Sequence, residues 1–363
     1  MKRMITGMAA ALLAAILFIP CGANAVSAEK AIVVDGLTGR VLYERRADEK
    51  SLIASTTKIM TALVVCEQCN VLDRVAIPKE AVGVEGSSIY LKEGEVLTVQ
   101  ELLYGLMLHS GNDAATALAI YCGGTVEGFA QLMNDKAHRL GLKNTHFVNP
   151  HGLDAPEHYS TAEDLAVLAS YAMKNPLFRS TVSAKTVRIG DRYLRNHNKL
   201  LWSVEGADGV KTGFTKAAGR ILVSSACREG RRIIAVTINA PDDWKDHSTF
   251  LEDGFFHYCV QSLVSQGEYL GTIQVAGGTA GHVQLLAAED FDFAMAEGEA
   301  WELVLPDPGF VYAPVCRGQV AGYAHIFVNG TAVGKIVLEY GETVEVEREI
   351  SQPWWKKLLG GKL

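Results

Sequence analysis

The chain has 363 residues, more than one average domain needs, so its length predicts two domains. Hydrophobic residues make up 48% and charged residues 21%, a globular balance that excludes general disorder. The net charge of −7 argues against a nucleic-acid-binding protein.

The first 25 residues have the pattern of an export signal. Two cations precede an apolar run over residues 8–19, which is about half as long as a membrane span. Ala-Asn-Ala at 23–25 fits the small-x-small cleavage rule, and Val-Ser-Ala at 26–28 is a second candidate. We predict cleavage after Ala25 and an exported chain, with an uncut signal anchor as the alternative.

Strand signals and helical spacing alternate through the next part of the chain. Residues 31–45 indicate strand, turn, strand. Helical patterns follow over residues 55–69, 99–109, 113–121, 126–140 and 161–174. Strand patterns return over residues 210–213, 220–227 and 231–239. Strands on both sides of a helical block predict an α+β domain over residues 26–266, with its terminal strands in one antiparallel sheet.

After residue 266 the sequence changes character. Short apolar runs recur with Gly or Asn-Gly turns, including the turn at Asn329-Gly330, which is typical of strands. We therefore predict a small all-β domain over residues 267–349.

Residues 350–363 form a separate tail. If residues 352–363 form a helix, two tryptophans and two leucines share one side and two lysines fall away from it. Tryptophan prefers the membrane interface and lysine is drawn to anionic headgroups, so the tail is predicted to associate with a membrane surface. A frayed terminus, or a helix docked on the β domain, is the alternative.

Six cysteines follow the predicted signal, at positions 66, 69, 122, 227, 259 and 316. An even number in an exported chain allows disulfides without showing any. The Cys66-x-x-Cys69 spacing suggests a redox or zinc site, but no second pair with metal-ligand spacing accompanies it. Because the pair lies in an apolar helical run, we predict buried helix residues, with a disulfide or a metal as alternatives. No cysteine is predicted to be catalytic.

The sequence Ser55-Thr56-Thr57-Lys58 opens the first long helix. Serine and lysine three residues apart lie on one helix face, and the helix N-terminus adds positive potential beside the serine oxygen. A neutral lysine can accept the serine proton and so activate the nucleophile. On its own, the motif is a weak signal, and a helix cap with a solvated lysine is the simpler interpretation.

Two further polar motifs follow. Ser110-Gly111-Asn112 lies between two predicted helices, where Asn112 or Asp113 could simply cap the next one. Lys211-Thr212-Gly213 ends a predicted strand. A cation and a hydroxyl there suit an anionic ligand, and Gly213 leaves room for close backbone approach. Taken alone, an exposed lysine at a strand end is the simpler interpretation.

Together, the three motifs form a known signature. S-x-x-K, S-D-N and K-T-G mark class A β-lactamases and penicillin-binding proteins, and here Gly111 stands in place of the Asp. The chain resembles the D-alanyl-D-alanine carboxypeptidases of serine peptidase family S11, the low-molecular-mass penicillin-binding proteins. Further similar segments lie at residues 86–95, 146–153 and 217–220. The resemblance implies a serine penicillin-recognising fold, a C-terminal β domain and a membrane-bound tail.

The resemblance also implies catalytic roles. Ser55 would attack the D-Ala–D-Ala bond of a peptidoglycan pentapeptide stem and form an acyl-enzyme, and Lys58 would take its proton. Ser110 would relay a proton to the leaving D-alanine. β-Lactams would acylate the same serine. No cofactor or metal is expected.

Substrate-binding roles follow in the same way. Asn112 would hold the substrate amide, and Lys211 and Thr212 would hold the terminal carboxylate beside Gly213. Lys211 would also keep Lys58 unprotonated through like-charge proximity. The backbone N–H groups of Ser55 and Phe214 would form the oxyanion hole.

The sequence departs from the pattern of some family members at two places. Some members carry His where this chain has Phe214, and some place an Arg downstream of that position, where Lys245 is the candidate substitute.

A β-lactamase would share the motifs but also needs a Glu to activate the deacylating water, and no E-x-x-L-N segment follows residue 113. A non-catalytic protein of the same fold that binds the wall or senses β-lactams is a third alternative.

Overall fold

The computed structural model describes residues 26–306 and 309–347. The predicted signal segment and the tail at 350–363 lie outside these residues. The chain forms two compact units that divide between Tyr258 and Cys259, somewhat before the predicted boundary at residue 266. Within the described residues, no helix is long and apolar enough to cross a membrane.

The first unit is built on a five-stranded sheet with the order β2-β1-β9-β8-β7, in which each neighbouring pair is antiparallel. Two short hairpins, β3-β4 and β5-β6, lie outside this sheet. The strands are β1 (Lys30–Asp35), β2 (Val41–Arg45), β3 (Arg74–Ala76), β4 (Val96–Thr98), β5 (Thr186–Ile189), β6 (Arg192–Arg195), β7 (Ala207–Thr215), β8 (Gly219–Arg228) and β9 (Arg231–Ile238).

Eight α-helices lie among the described residues of this unit. They are α1 (Lys58–Gln68), α2 (Val99–Leu108), α3 (Asn112–Gly123), α4 (Val126–Arg139), α5 (Ala162–Ala172), α6 (Pro176–Ser183), α7 (Leu200–Ser203) and α8 (Asp243–His257). Helical spacing in the sequence predicted α1 to α5 but not α6, α7 or α8. The α6 signal was available, because Asn175 caps the helix and Pro176 follows at its first position.

Both faces of the main sheet are covered. Alternate residues of β1 point to opposite faces: Ile32 belongs to the core that includes α5, and Val33 to the core that includes α8. β9 alternates in the same way, with Ile234 on the α5 side and Ile233 on the α8 side. Because both faces of β1 and β9 are buried, their sequences are nearly continuous runs of apolar residues.

The second unit is all β. A six-stranded sheet has the order β14-β16-β17-β12-β11-β15, and β10 pairs with β13. Its strands are β10 (Tyr258–Val264), β11 (Tyr269–Ala276), β12 (His282–Ala287), β13 (Phe291–Ala296), β14 (Trp301–Val304), β15 (Phe310–Tyr312), β16 (Val320–Val328) and β17 (Thr331–Tyr340). The Asn329-Gly330 turn joins β16 to β17, and both residues have positive φ. The predicted α+β class is confirmed.

Candidate active site

Ser55 lies in a short 3-10 helix, Ala54–Thr57, which leads directly into α1. The preceding residue, Ala54, has φ +44°, a left-handed conformation that a residue with a side chain rarely adopts. Such backbone strain persists only where surrounding structure enforces it, and it is concentrated at functional sites. Lys58 follows one turn later, and its Nζ lies 3.0 Å from Ser55 Oγ.

Lys58 is completely buried. Its Nζ donates to Asn112 Oδ1 at 2.7 Å and to the His151 carbonyl at 2.6 Å. Burial lowers the pKa of Lys58 well below its usual value, and the positive charge of Lys211 lowers it further, against the opposing effect of Asp113. A neutral amine has two N–H groups and one lone pair. The two oxygen acceptors take the N–H groups, which leaves the lone pair for the Ser55 hydroxyl.

The Ser110-Gly111-Asn112 motif connects α2 to α3. Ser110 is 5% exposed and has φ +63°, a second strained residue at the site. The Asn112 amide donates to the Glu85 carbonyl at 2.5 Å while its oxygen accepts from Lys58. The motif therefore brings a serine and an amide to the lysine from a different helix.

Asp113 explains why glycine occupies position 111. The Asp113 carboxylate is buried and accepts from Ser88 Oγ at 2.6 Å and from the N–H groups of Ile89 and Leu91. A Cβ on Gly111 would lie 2.7 Å from Asp113 Oδ1. Asp113 thus directly follows the motif, and its carboxylate fixes the segment of residues 88–91, which begins next to Ser87. From the sequence, Asp113 was expected only as a helix cap.

Lys211-Thr212-Gly213 lies on β7, at the edge of the main sheet. Lys211 is buried, and this burial lowers its pKa to about 7. Its Nζ donates to the Thr212 carbonyl at 2.8 Å. A Cβ on Gly213 would lie 3.3 Å from the backbone nitrogen of Ser55, so glycine lets β7 approach the serine closely.

One cleft joins the three motifs. Its lining combines predicted site residues with residues that the sequence did not single out: Ser55, Ser87, Ser110, His197, Lys199, Thr212, Gly213, Phe214, Arg220, Ile221, Asp243 and Trp244. Lys58, Asn112 and Lys211 are buried. The structure thus brings the residues of all three motifs together, although about 150 positions separate Ser55 from Lys211.

Arg220 is a cleft residue whose position sequence reasoning missed. It lies on β8 directly opposite Phe214, and its guanidinium pairs with the buried Asp243 at 2.8 Å. Its Nε is buried and has no hydrogen-bond partner among the described residues. Lys245, the candidate substitute from the sequence, is not among the described residues that line the cleft.

His151 contributes through its backbone, which sequence reasoning also missed. The loop around it is shaped by Asn149, whose side chain accepts from the N–H of Gly152 at 2.7 Å. Gly152 has φ +86°, and a Cβ there would collide with the Ala54 carbonyl. This loop therefore presents a main-chain carbonyl to Lys58, where a class A β-lactamase would be expected to present a glutamate.

Comparison with known proteins gives the family. A family model described as D-alanyl-D-alanine carboxypeptidase matches residues 20–242, and one for the C-terminal domain of penicillin-binding protein 5 matches residues 258–346. D-alanyl-D-alanine carboxypeptidase DacF of Bacillus subtilis is 34% identical over 81% of this chain and 80% of its own length. DacC of Escherichia coli is 34% identical over 92% and 88%.

Solved structures agree. Penicillin-binding protein 5 from Haemophilus influenzae superposes with a TM-score of 0.78 at 29% identity, covering 89% of this chain and 98% of that one. A mutant of the Streptomyces K15 DD-transpeptidase gives a TM-score of 0.62 at 37% identity over 64% of this chain and 99% of that one. Neither the β-lactamase nor the non-catalytic alternative is favoured. The chain belongs to the S11 family of serine D-alanyl-D-alanine carboxypeptidases, the penicillin-binding type that its three motifs predicted.

Proposed function

We propose that this enzyme removes the terminal D-alanine from peptidoglycan pentapeptide stems through an acyl-enzyme at Ser55. The observation that carries the proposal is the buried Lys58 amine, with its N–H groups directed to two oxygen acceptors and Ser55 Oγ 3.0 Å away. In this arrangement the lone pair of the amine takes the hydroxyl proton as the serine oxygen attacks the carbonyl carbon.

The remaining residues complete the reaction. The backbone N–H groups of Ser55 and Phe214 bind the oxyanion, an assignment supported by the close approach of β7 to Ser55. Ser110 passes a proton to the leaving D-alanine, and Asn112 holds the substrate amide. Water then attacks the acyl-enzyme and releases the shortened stem. β-Lactams acylate Ser55 by the same route.

The test of this function is the release of D-alanine from a diacyl-Lys-D-Ala-D-Ala peptide by the purified chain. We expect stoichiometric release of free D-alanine and slow hydrolysis of penicillin. Rapid turnover of penicillin without release of D-alanine would instead indicate a β-lactamase. Covalent binding of penicillin with neither activity would indicate a β-lactam sensor.

Recognition of the substrate carboxylate is assigned to Thr212, Lys211 and Arg220. The guanidinium of Arg220 can pair with a carboxylate through two N–H groups, whereas the buried Lys211 has a pKa of about 7 and carries only part of a charge near neutrality. Arg220 lines the same cleft as Thr212, and its side chain is 42% exposed there. Arg220 therefore supplies the positive charge for which Lys245 was the candidate.

Removing the Arg220 charge is expected to lower kcat/KM for the D-Ala-D-Ala peptide by roughly 10–100-fold, as the loss of a charged hydrogen bond does. The variant should be Arg220→Gln combined with Asp243→Asn, because the single change would leave a buried carboxylate unpaired. Lys245→Gln is the matched control, with unchanged kcat/KM. A loss in the control and none in the double variant would transfer the role to Lys245.

We further propose that the chain is exported, cut after Ala25 and attached to the outer face of the cytoplasmic membrane by its tail. Support for the cleavage site comes from Ser27, whose hydroxyl donates to Asp246 at 2.7 Å. The Asp246 carboxylate is buried and also accepts from the Ser27 and Ala28 N–H groups. Cleavage after Ala28 would remove these partners from a buried charge.

Deleting residues 352–363 is expected to move the protein from the membrane fraction to the soluble fraction. Activity on a small peptide should not change, because the cleft residues all lie in the first unit. High salt should weaken attachment of the full chain, since it screens the lysines. Equal membrane recovery with and without the tail would contradict the proposal and indicate an uncut signal segment as the anchor.

A further inference from the structure

Helices α1 and α3 run parallel and touch at both ends. At their first residues, Lys58 Nζ donates to Asn112 Oδ1 at 2.7 Å. At their far ends, Gln68 Oε1 of α1 lies 3.9 Å from Cys122 Sγ of α3. Ten residues separate the two contacts along each helix, a rise of about 15 Å. The two helices that carry catalytic groups at their starts are therefore in register at their ends.

A second cysteine stands at this far end. Cys69 directly follows α1 in an extended conformation, with φ −113° and ψ 148°, and Cys122 lies in the last turn of α3. Both are half-buried and packed on the main core. Gln68, the residue directly before Cys69, contacts Cys122, and each of the two thiols shifts the pKa of the other.

We propose that Cys69 and Cys122 form a disulfide when the chain meets an oxidising compartment, and that this bond braces the α1–α3 pair. The other cysteines fit this role less well. Cys259 and Cys316 are exposed in the second unit, and Cys227 lies on β8. Cys66 lies within α1, one turn before Cys69.

The chemistry of the pair gives each sulfur a role. The interaction with Cys69 lowers the pKa of Cys122, while the interaction with Cys122, together with burial, raises the pKa of Cys69. With oxidised glutathione as oxidant, the Cys122 thiolate attacks one glutathione sulfur and expels one glutathione thiolate. Cys69 then loses its proton, attacks the Cys122 sulfur and expels the second glutathione. Two protein thiols are oxidised, and one glutathione disulfide is reduced to two glutathione molecules.

The bond would close a loop that contains α2 and the Ser110-Gly111-Asn112 motif. Closing a loop of this length restricts the unfolded chain and stabilises the fold. The bond would lie about 15 Å along the helices from the Lys58–Asn112 contact, so it should leave the catalytic geometry unchanged. We expect the oxidised chain to unfold roughly 5–10 °C above the reduced chain, with equal kcat.

The experiment uses the purified full chain with oxidised glutathione, followed by alkylation, digestion and mass spectrometry without reductant. We expect one cross-linked peptide pair, joining Cys69 to Cys122 and lighter by two hydrogens than the two peptides together. The unfolding temperature of the native chain, measured with and without a phosphine reductant, should fall on reduction. Cys69→Ser and Cys122→Ser should each abolish that difference, while Cys259→Ser and Cys316→Ser retain it.

Two results would overturn the proposal. One is complete alkylation of Cys69 and Cys122 after oxidation. The other is a cross-link that joins Cys66 to either of them. The comparison of the native chain with and without reductant does not depend on any variant folding, so it decides the stabilising role even if a serine variant is insoluble.

Discussion

Replacing Ser55 with alanine is expected to abolish covalent labelling by fluorescent penicillin and to stop the release of D-alanine. The acyl-enzyme forms on the Ser55 oxygen, and alanine offers no atom that can take its place. Loss of a serine nucleophile costs roughly 10⁶-fold in rate in a comparable serine hydrolase. The measurement is the labelled band on a denaturing gel, with the site of attachment located by mass spectrometry of the digest.

Ser203→Ala is the matched control, because this serine lies at the end of α7, outside the residues that line the cleft. It should label at the native rate. The unfolding temperature of Ser55→Ala should stay close to that of the native chain, which separates loss of the nucleophile from loss of the fold. Labelling of Ser55→Ala at the native rate would show that another residue is the nucleophile.

Replacing Lys58 is expected to slow acylation by about 10²–10⁴-fold, the usual cost of losing a general base. Lys58→Ala would also leave the Asn112 oxygen without its buried donor, so Lys58→Met, which keeps most of the volume, is the companion variant. Stopped-flow measurement of penicillin acylation gives the rate constant directly. Near-normal acylation in both variants would assign proton abstraction to Ser110 acting with Lys211.

The pH dependence of acylation supplies an independent check of the base. Burial and the charge of Lys211 lower the pKa of Lys58, so the amine is neutral well below the pH at which a free lysine loses its proton. The native enzyme should lose activity only as pH falls through that lowered pKa. In Lys211→Gln the neighbouring positive charge is absent, the pKa of Lys58 rises, and the acid limb of the profile should move to higher pH.

Much of this protein could be predicted from local sequence. Helical spacing predicted α1 to α5, and alternating or continuous apolar runs predicted the main strands, because periodicity reports which face of an element is buried. The order and spacing of three short motifs predicted the family. Ser55, Ser110 and Thr212 line one cleft. The position of α8 was not predicted, since its polar start at Asp243 carries no clear helical pattern.

Tertiary structure alone decided the chemical state of the site. The sequence places Lys58 one turn from Ser55, but its low pKa depends on complete burial and on the charge of Lys211, about 150 positions away. Arg220, the His151 carbonyl and the buried carboxylate of Asp113 acquire their roles in the same way, from contacts between distant segments. Desolvation and hydrogen-bond geometry are properties of the packed chain, so no local pattern can report them.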